Sequence, residues 1–137
     1  MPKATAGAII YRKNGISFEI FMTERNINPF KGYWCFPGGH IDQFETAEKA
    51  IIREVKEETN LDYSPRFLCY QDEIFPEMEL HNIVMMFHGE ATGSPKADPG
   101  EVSNIGWFQL EEALNMDLAF EHHKALKIFK KQIVSQL

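Results

Sequence analysis

The runs Thr5 to Tyr11 and Ser17 to Thr23 are rich in Ile, Phe and Ala and flank Lys13-Asn14-Gly15, a tight-turn sequence. They predict an opening hairpin. The polar stretch Glu24 to Tyr33, with Asn26, Asn28, Pro29 and Gly32, reads as a loop, and Trp34-Cys35-Phe36 as a short strand that Pro37 stops. Further on, Arg66 to Tyr70 and His81 to Ala91 read as strands, the second centred on the apolar Ile83 to Phe87. The connection QDEIFPEMEL carries Phe75 and Met78, which either pack or cover a ligand as a lid; ordinary packing is the preferred reading. Thr92 to Gly100 is a turn-rich loop, Ser103 to Gln109 a last strand, and LEEAL a helical turn. From Phe120 a closing helix presents Ala125, Leu126, Phe129, Ile133 and Leu137 at helical spacing.

The central helix, starting near Thr46, breaks this ordinary pattern. At about 100° per residue, Ala47, Ala50, Ile51 and Val55 form an apolar stripe, and Glu54, Glu57 and Glu58 fall within the same stripe. A solvated face should lie opposite, where Lys49, Lys56 and Glu45 already are. The acids repel one another and sit near the negative end of the helix dipole, an arrangement that a bound cation relieves. All-oxygen ligands with no adjacent Cys or His pattern suit Mg²⁺ or Mn²⁺ rather than zinc.

A length of 137 residues, 44% hydrophobic and 25% charged, predicts a single domain over residues 1–137. The formal charge of −6 argues against binding nucleic acid backbones or an anionic membrane surface. Cys35 and Cys69 lack metal-type spacing and read as buried free thiols of a cytoplasmic protein. No targeting or membrane-spanning segment is apparent. His122 and His123, being adjacent, face different ways and read as surface or partly packed residues.

The run from Gly39 through Glu45 to Arg53-Glu54-Val55-Lys56-Glu57-Glu58-Thr59-Asn60-Leu61 resembles the Nudix box: a glycine, five residues, a glutamate, seven residues, then R-E-U-x-E-E-x-G-U with U a bulky aliphatic. Asn60 stands where the pattern has Gly, and Asn is the residue that best replaces Gly in a left-handed helix terminus. The resemblance implies an α/β fold, a Nudix-type α/β/α sandwich whose mixed β-sheet has helices on both faces. It also implies a metal-dependent hydrolase in which Glu54, Glu57 and Glu58 hold Mg²⁺ or Mn²⁺. Glu54 or Glu101 would accept the proton of the attacking water, with Arg53 orienting Glu57 and with Glu45 and Gly39 in support.

Gly38 is expected to offer a carbonyl to the metal, with a simple tight turn as the alternative. Glu101 is the favoured acid from outside the box, ahead of Asp98 and Glu90; an exposed loop acid is the alternative. Arg25 and Lys31 are candidate substrate contacts, with solvated loop charge as the alternative, and Phe75 is a third. The expected partner is a small nucleotide, with neither nucleic acid nor membrane, and a homodimer is left open. Hydrolysis of a nucleoside diphosphate linked to another moiety is the expected reaction. The close of the chain, IGWFQLEEALNMDLAFEHHKAL, is similar to ADP-ribose pyrophosphatase-like members and ranks ADP-ribose and nucleotide sugars first. GGHID resembles triphosphate-type members, so clearance of noncanonical (d)NTPs is the alternative. A non-catalytic nucleotide sensor is the reading from another class, disfavoured because every box acid is intact.

Overall fold

A computed structural model describes residues 1–136. The opening hairpin pairs β1 (Lys3–Asn14) with β2 (Ser17–Arg25), both longer than the apolar runs that predict them. Six consecutive residues of β1, Thr5 to Ile10, are buried, because layers cover both faces of the sheet and outward positions are apolar too.

After β3 (Trp34–Cys35) the chain forms β4 (Gly38–His40), so the glycine pair belongs to a strand and not to the simple tight turn that was the alternative reading of Gly38. The glycines let β4 lie against the amino-terminal half of β1, pairing Gly39 with Ala6 and Gly38 with Gly7. The helix α1 (Ala47–Thr59) follows, then β5 (Asp62–Tyr63) and β6 (Arg66–Phe75). Most of QDEIFPEMEL is therefore strand: β6 runs to Phe75, a single 3₁₀ turn spans Pro76–Met78, and β7 (Leu80–Gly89) returns antiparallel. Its polar residues concealed a strand because one face of this arm is solvated.

The short β8 (Ala91–Thr92) pairs with β5, and β9 (Val102–Gln109) pairs with β2. The main sheet has seven strands in the order β3-β2-β1-β7-β6, with β4 added to β1 and β9 to β2. The β1–β7 pair is parallel and the others are antiparallel, so the sheet is mixed.

On one face α1 buries Ile51 and Val55 against Ala6, Ala8, Ile10 and Phe21. On the other, α2 (Leu110–Leu114) and α3 (His122–Gln132) bury Ala113, Leu126 and Phe129 against Ile9, Ile20, Met22 and Met86. Helices on both faces of a mixed α/β sheet are as expected. The closing helix begins at His122 rather than Phe120, Ile133 caps it, and Leu137 lies outside the described residues. Cys35 and Cys69 are free thiols, the first buried and the second half-buried. No helix among the described residues is long and apolar enough to cross a membrane.

Candidate active site

Thr46 caps α1 by accepting the Lys49 N–H on its hydroxyl at 3.1 Å. Asn60 ends the helix with φ of 64° and donates its backbone N–H to the Lys56 carbonyl, the left-handed terminus that the box pattern assigns to glycine. Burial of Ile51 and Val55 turns Glu58 inward on the next turn, where it is only 9% exposed. Its Oε2 accepts the Gly38 N–H at 2.9 Å. Burial nevertheless raises the Glu58 carboxyl well above its ordinary range, and the nearby charges of Glu54 and Glu101 push it further in that direction.

Glu54 is raised too, first by burial, with Arg53 opposing and Glu57 and Glu101 adding to the rise. It lies against Gly39: a Cβ on that glycine would stand 2.5 Å from the Glu54 carboxyl carbon. The space that glycine leaves empty is what admits this acid.

Arg53 organises the group. Its Nε donates to Glu45 Oε2 at 2.8 Å and its Nη2 to Glu45 Oε1 at 3.0 Å, the two-pronged geometry that suits a guanidinium. Its Nη1 is shared between Glu54 at 3.0 Å and Glu57 at 3.3 Å, and Nη2 also reaches the His40 carbonyl. Glu45 accordingly falls to about 2, held there first by Arg53 and then by the Asp42 N–H. Its main partner is the Arg53 side chain. Glu57 is the most open of the three box acids, its side chain 57% exposed.

Glu101 arrives by a route that begins at the end of α1. The Lys96 N–H donates to the Thr59 carbonyl at 2.8 Å and the Asp98 N–H to the Glu58 carbonyl at 3.0 Å, satisfying carbonyls that a helix terminus leaves free. The loop is thereby held across the helix end and carries Glu101 to the acids.

A cavity of about 460 Å³ joins these groups. Gly38, Gly39, Glu54, Glu58 and Glu101 line it, together with Arg25, Phe120, His122, Glu73 and Asn82. Glu57 does not line it and borders an open recess with Lys56, Asn60, Lys96 and Asp98. Neither Lys31 nor Phe75 lines the cavity; Lys31 is exposed, and Phe75 packs edge-on against Phe30 at 5.5 Å. Glu90 is exposed elsewhere, where its charge adds to the rise that burial gives Tyr11.

His122 is the clearest departure from expectation. It is buried, its ring stacks on Phe36 at 5.0 Å, and its Nδ1 accepts the Phe36 N–H at 3.1 Å. Burial and the positive charge of Arg25 pull it down to about 3, so the ring is neutral. Glu73 and Asn82 were also missed. Asn82 precedes Val84 and Met86 by the strand period of two, so its inward position was legible as a polar break in a buried face.

Comparison with known proteins accords with this arrangement. Residues 1–129 match the NUDIX domain family. The chain is 30% identical over 134 residues to an ADP-ribose pyrophosphatase of Methanocaldococcus jannaschii, covering 95% of this chain and 74% of that protein. It is 28% identical over 126 residues to an asymmetrical bis(5'-nucleosyl)-tetraphosphatase of Caenorhabditis elegans, covering 81% and 82% of the two chains. Two other curated relatives are much longer, the chain spanning 15% and 36% of their lengths. Among solved structures, a MutT NUDIX hydrolase from Burkholderia pseudomallei superposes with a TM-score of 0.84 at 28% identity, covering 93% of this chain and 97% of its own. With Glu54, Glu58 and the paired glycines of the box lining one cavity, a family match spanning nearly the whole chain places this protein in the Nudix family of hydrolases.

Proposed function

We propose that the protein hydrolyses the diphosphate of a nucleoside diphosphate linked to another moiety, ADP-ribose or a nucleotide sugar first, releasing a nucleoside monophosphate and a phosphorylated remainder. The observation that carries this reading is the single cavity lined both by Glu54, Glu58 and Glu101 and by a separate set of buried polar and aromatic groups. One end suits phosphates and the other a nucleoside. The 30% identity to an ADP-ribose pyrophosphatase supports the ranking of substrates.

The donor chemistry of these acids suits a hard divalent cation, although no three His, Cys, Asp or Glu side chains among the described residues are grouped closely enough to hold one. Their donors are all oxygen, their charges raise one another's proton affinity, and Gly39 leaves room beside Glu54 that a Cβ would fill. Glu54, Glu57, Glu58 and Glu101, with the Gly38 carbonyl, are the groups that would hold Mg²⁺ or Mn²⁺. When bound, the cation supplies charge neutralisation at the phosphates and a more acidic water. Glu54 or Glu101 accepts the proton of the attacking water. Arg53 restrains Glu54 and Glu57 so that less side-chain freedom is lost on loading. Arg25, on the cavity wall with its Nε anchored to the Pro29 carbonyl at 2.7 Å, adds a positive charge.

A second reading, pyrophosphatase cleavage of noncanonical (d)NTPs, is favoured by 35% identity over 106 residues to a putative 8-oxo-dGTP diphosphatase of Bacillus subtilis. The test is a panel of ADP-ribose, nucleotide sugars, dinucleoside polyphosphates, NADH and (d)NTPs with Mg²⁺ or Mn²⁺, products being resolved by chromatography. Monophosphate release from ADP-ribose or a nucleotide sugar is the expected result. Turnover of (d)NTPs alone selects the second reading, and no turnover with metal bound selects a sensor. Glu57→Gln should abolish turnover in a protein that remains folded.

A further inference from the structure

At the end of the cavity away from α1, two buried side chains present oxygens with no partner. Glu73 is 3% exposed and Asn82 6%, and both line the cavity. They are a directly opposed pair on β6 and β7. The Asn82 amide donates from Nδ2 to Glu73 Oε1 at 3.3 Å, which leaves Asn82 Oδ1 and Glu73 Oε2 as hydrogen-bond acceptors without donors. Burying such acceptors without donors is unfavourable, because each has given up its hydrogen bonds to water. A protein that needed only a filled core here would do better with two apolar side chains.

The surroundings narrow the complement. Because His122 Nδ1 already accepts from Phe36, the neutral ring carries its proton on Nε2, 3.8 Å from Glu73 Oε2. The corner thus offers two acceptors and one donor. Its walls are flat: Phe36 stacks on His122, and Phe120 lies 5.4 Å from the same imidazole. Phe120 is held at φ of 55°, a costly conformation for a bulky residue, with the Arg25 guanidinium 4.8 Å over its ring. Aromatic walls suit a planar base better than a sugar diol.

We infer that Glu73 and Asn82 receive the exocyclic amino group of the substrate's purine base, and so set the protein's choice of base. With adenine, the two amino hydrogens satisfy the two free oxygens and the His122 N–H faces a ring nitrogen. With guanine, the amino and imino hydrogens satisfy the oxygens and the carbonyl faces His122. A base with a carbonyl in place of the amino group sets lone pairs against lone pairs. This assignment rests on the proposed use of the cavity for a nucleotide and says which part of the nucleotide lies deepest.

The experiment is equilibrium binding of AMP, IMP, GMP and XMP to the intact protein, paired with steady-state hydrolysis of ADP-ribose and its hypoxanthine counterpart, and of GDP-mannose and its xanthine counterpart. AMP should bind roughly tenfold or more tighter than IMP, or GMP than XMP, and KM for the deaminated member of the matching pair should rise by a similar factor with kcat little changed. The pair that shows the effect identifies adenine or guanine. Glu73→Gln should shrink or reverse the preference, since its amide can donate to a carbonyl. Equal binding of AMP and IMP together with equal binding of GMP and XMP overturns the inference and makes these oxygens water ligands only. Discrimination in binding without any turnover supports it while overturning the hydrolytic reading, and the wild-type comparison holds even if the variant does not fold.

Discussion

The carboxylate of Glu58 and the backbone N–H of Gly38, twenty residues apart, are joined by a hydrogen bond of 2.9 Å. That bond ties the last turn of α1 to β4 and fixes the acid nearest the core. Glu58→Gln keeps an oxygen able to accept from Gly38 and sheds a buried charge. The variant should therefore melt no lower than the parent, while turnover falls by about 100-fold or more. Circular dichroism melts and initial rates with Mg²⁺ measure the two effects separately.

The adjacent glycines should respond in opposite ways to alanine. A Cβ on Gly38 would stand 2.2 Å from the Ala6 carbonyl oxygen, a backbone atom within a strand pair, so Gly38→Ala should lose roughly 1–3 kcal/mol in urea unfolding. On Gly39 the Cβ meets the Glu54 carboxylate, which can swing away. Gly39→Ala should stay near parental stability and lose activity by about 10–100-fold.

Glu101 and Asp98 share a loop but not the cavity. Glu101→Gln should lower turnover by at least about tenfold and weaken Mn²⁺ binding, whereas Asp98→Asn should do neither. A Mn²⁺ titration followed by electron paramagnetic resonance distinguishes them.

Asn60 occupies the left-handed terminus of α1 at no great cost. Asn60→Gly should change stability by less than about 0.5 kcal/mol, whereas Asn60→Val should lose about 1–2 kcal/mol because a branched Cβ opposes this conformation. Denaturant midpoints at constant slope provide the measurement.

His122 titrates near 3 when folded, against 6.5 for the free side chain. Between those values the unfolded chain binds more protons, so the stability due to neutral His122 is complete above about pH 6.5 and declines as pH falls toward 3, by at most about 1.4 kcal/mol per pH unit. Burial shifts Glu73 upward, which gives the opposite slope, so the histidine must be isolated by difference. His122→Asn, with an oxygen near the former Nδ1, should show a shallower acid decline than the parent in urea titrations from pH 7 to 4.

Local physics made much of this molecule readable in one dimension. The cap at Thr46, the stripe through Ile51 and Val55, the left-handed demand at Asn60 and the crowding of Glu54, Glu57 and Glu58 all lie within a few turns of one helix, so spacing alone exposes them. Which acids share a cavity was not readable that way. Glu57 turns to Arg53 at the rim and Glu58 turns inward, because β4 offers a backbone donor to one and not to the other. Glu101 joins them through hydrogen bonds from its loop to the end of α1, and Glu73, Asn82 and His122 meet across strand pairing and a helix more than thirty residues away. Such encounters depend on register and layer order, which belong to the folded sheet as a whole and leave only faint marks, such as one asparagine in an inward strand position, on the chain itself.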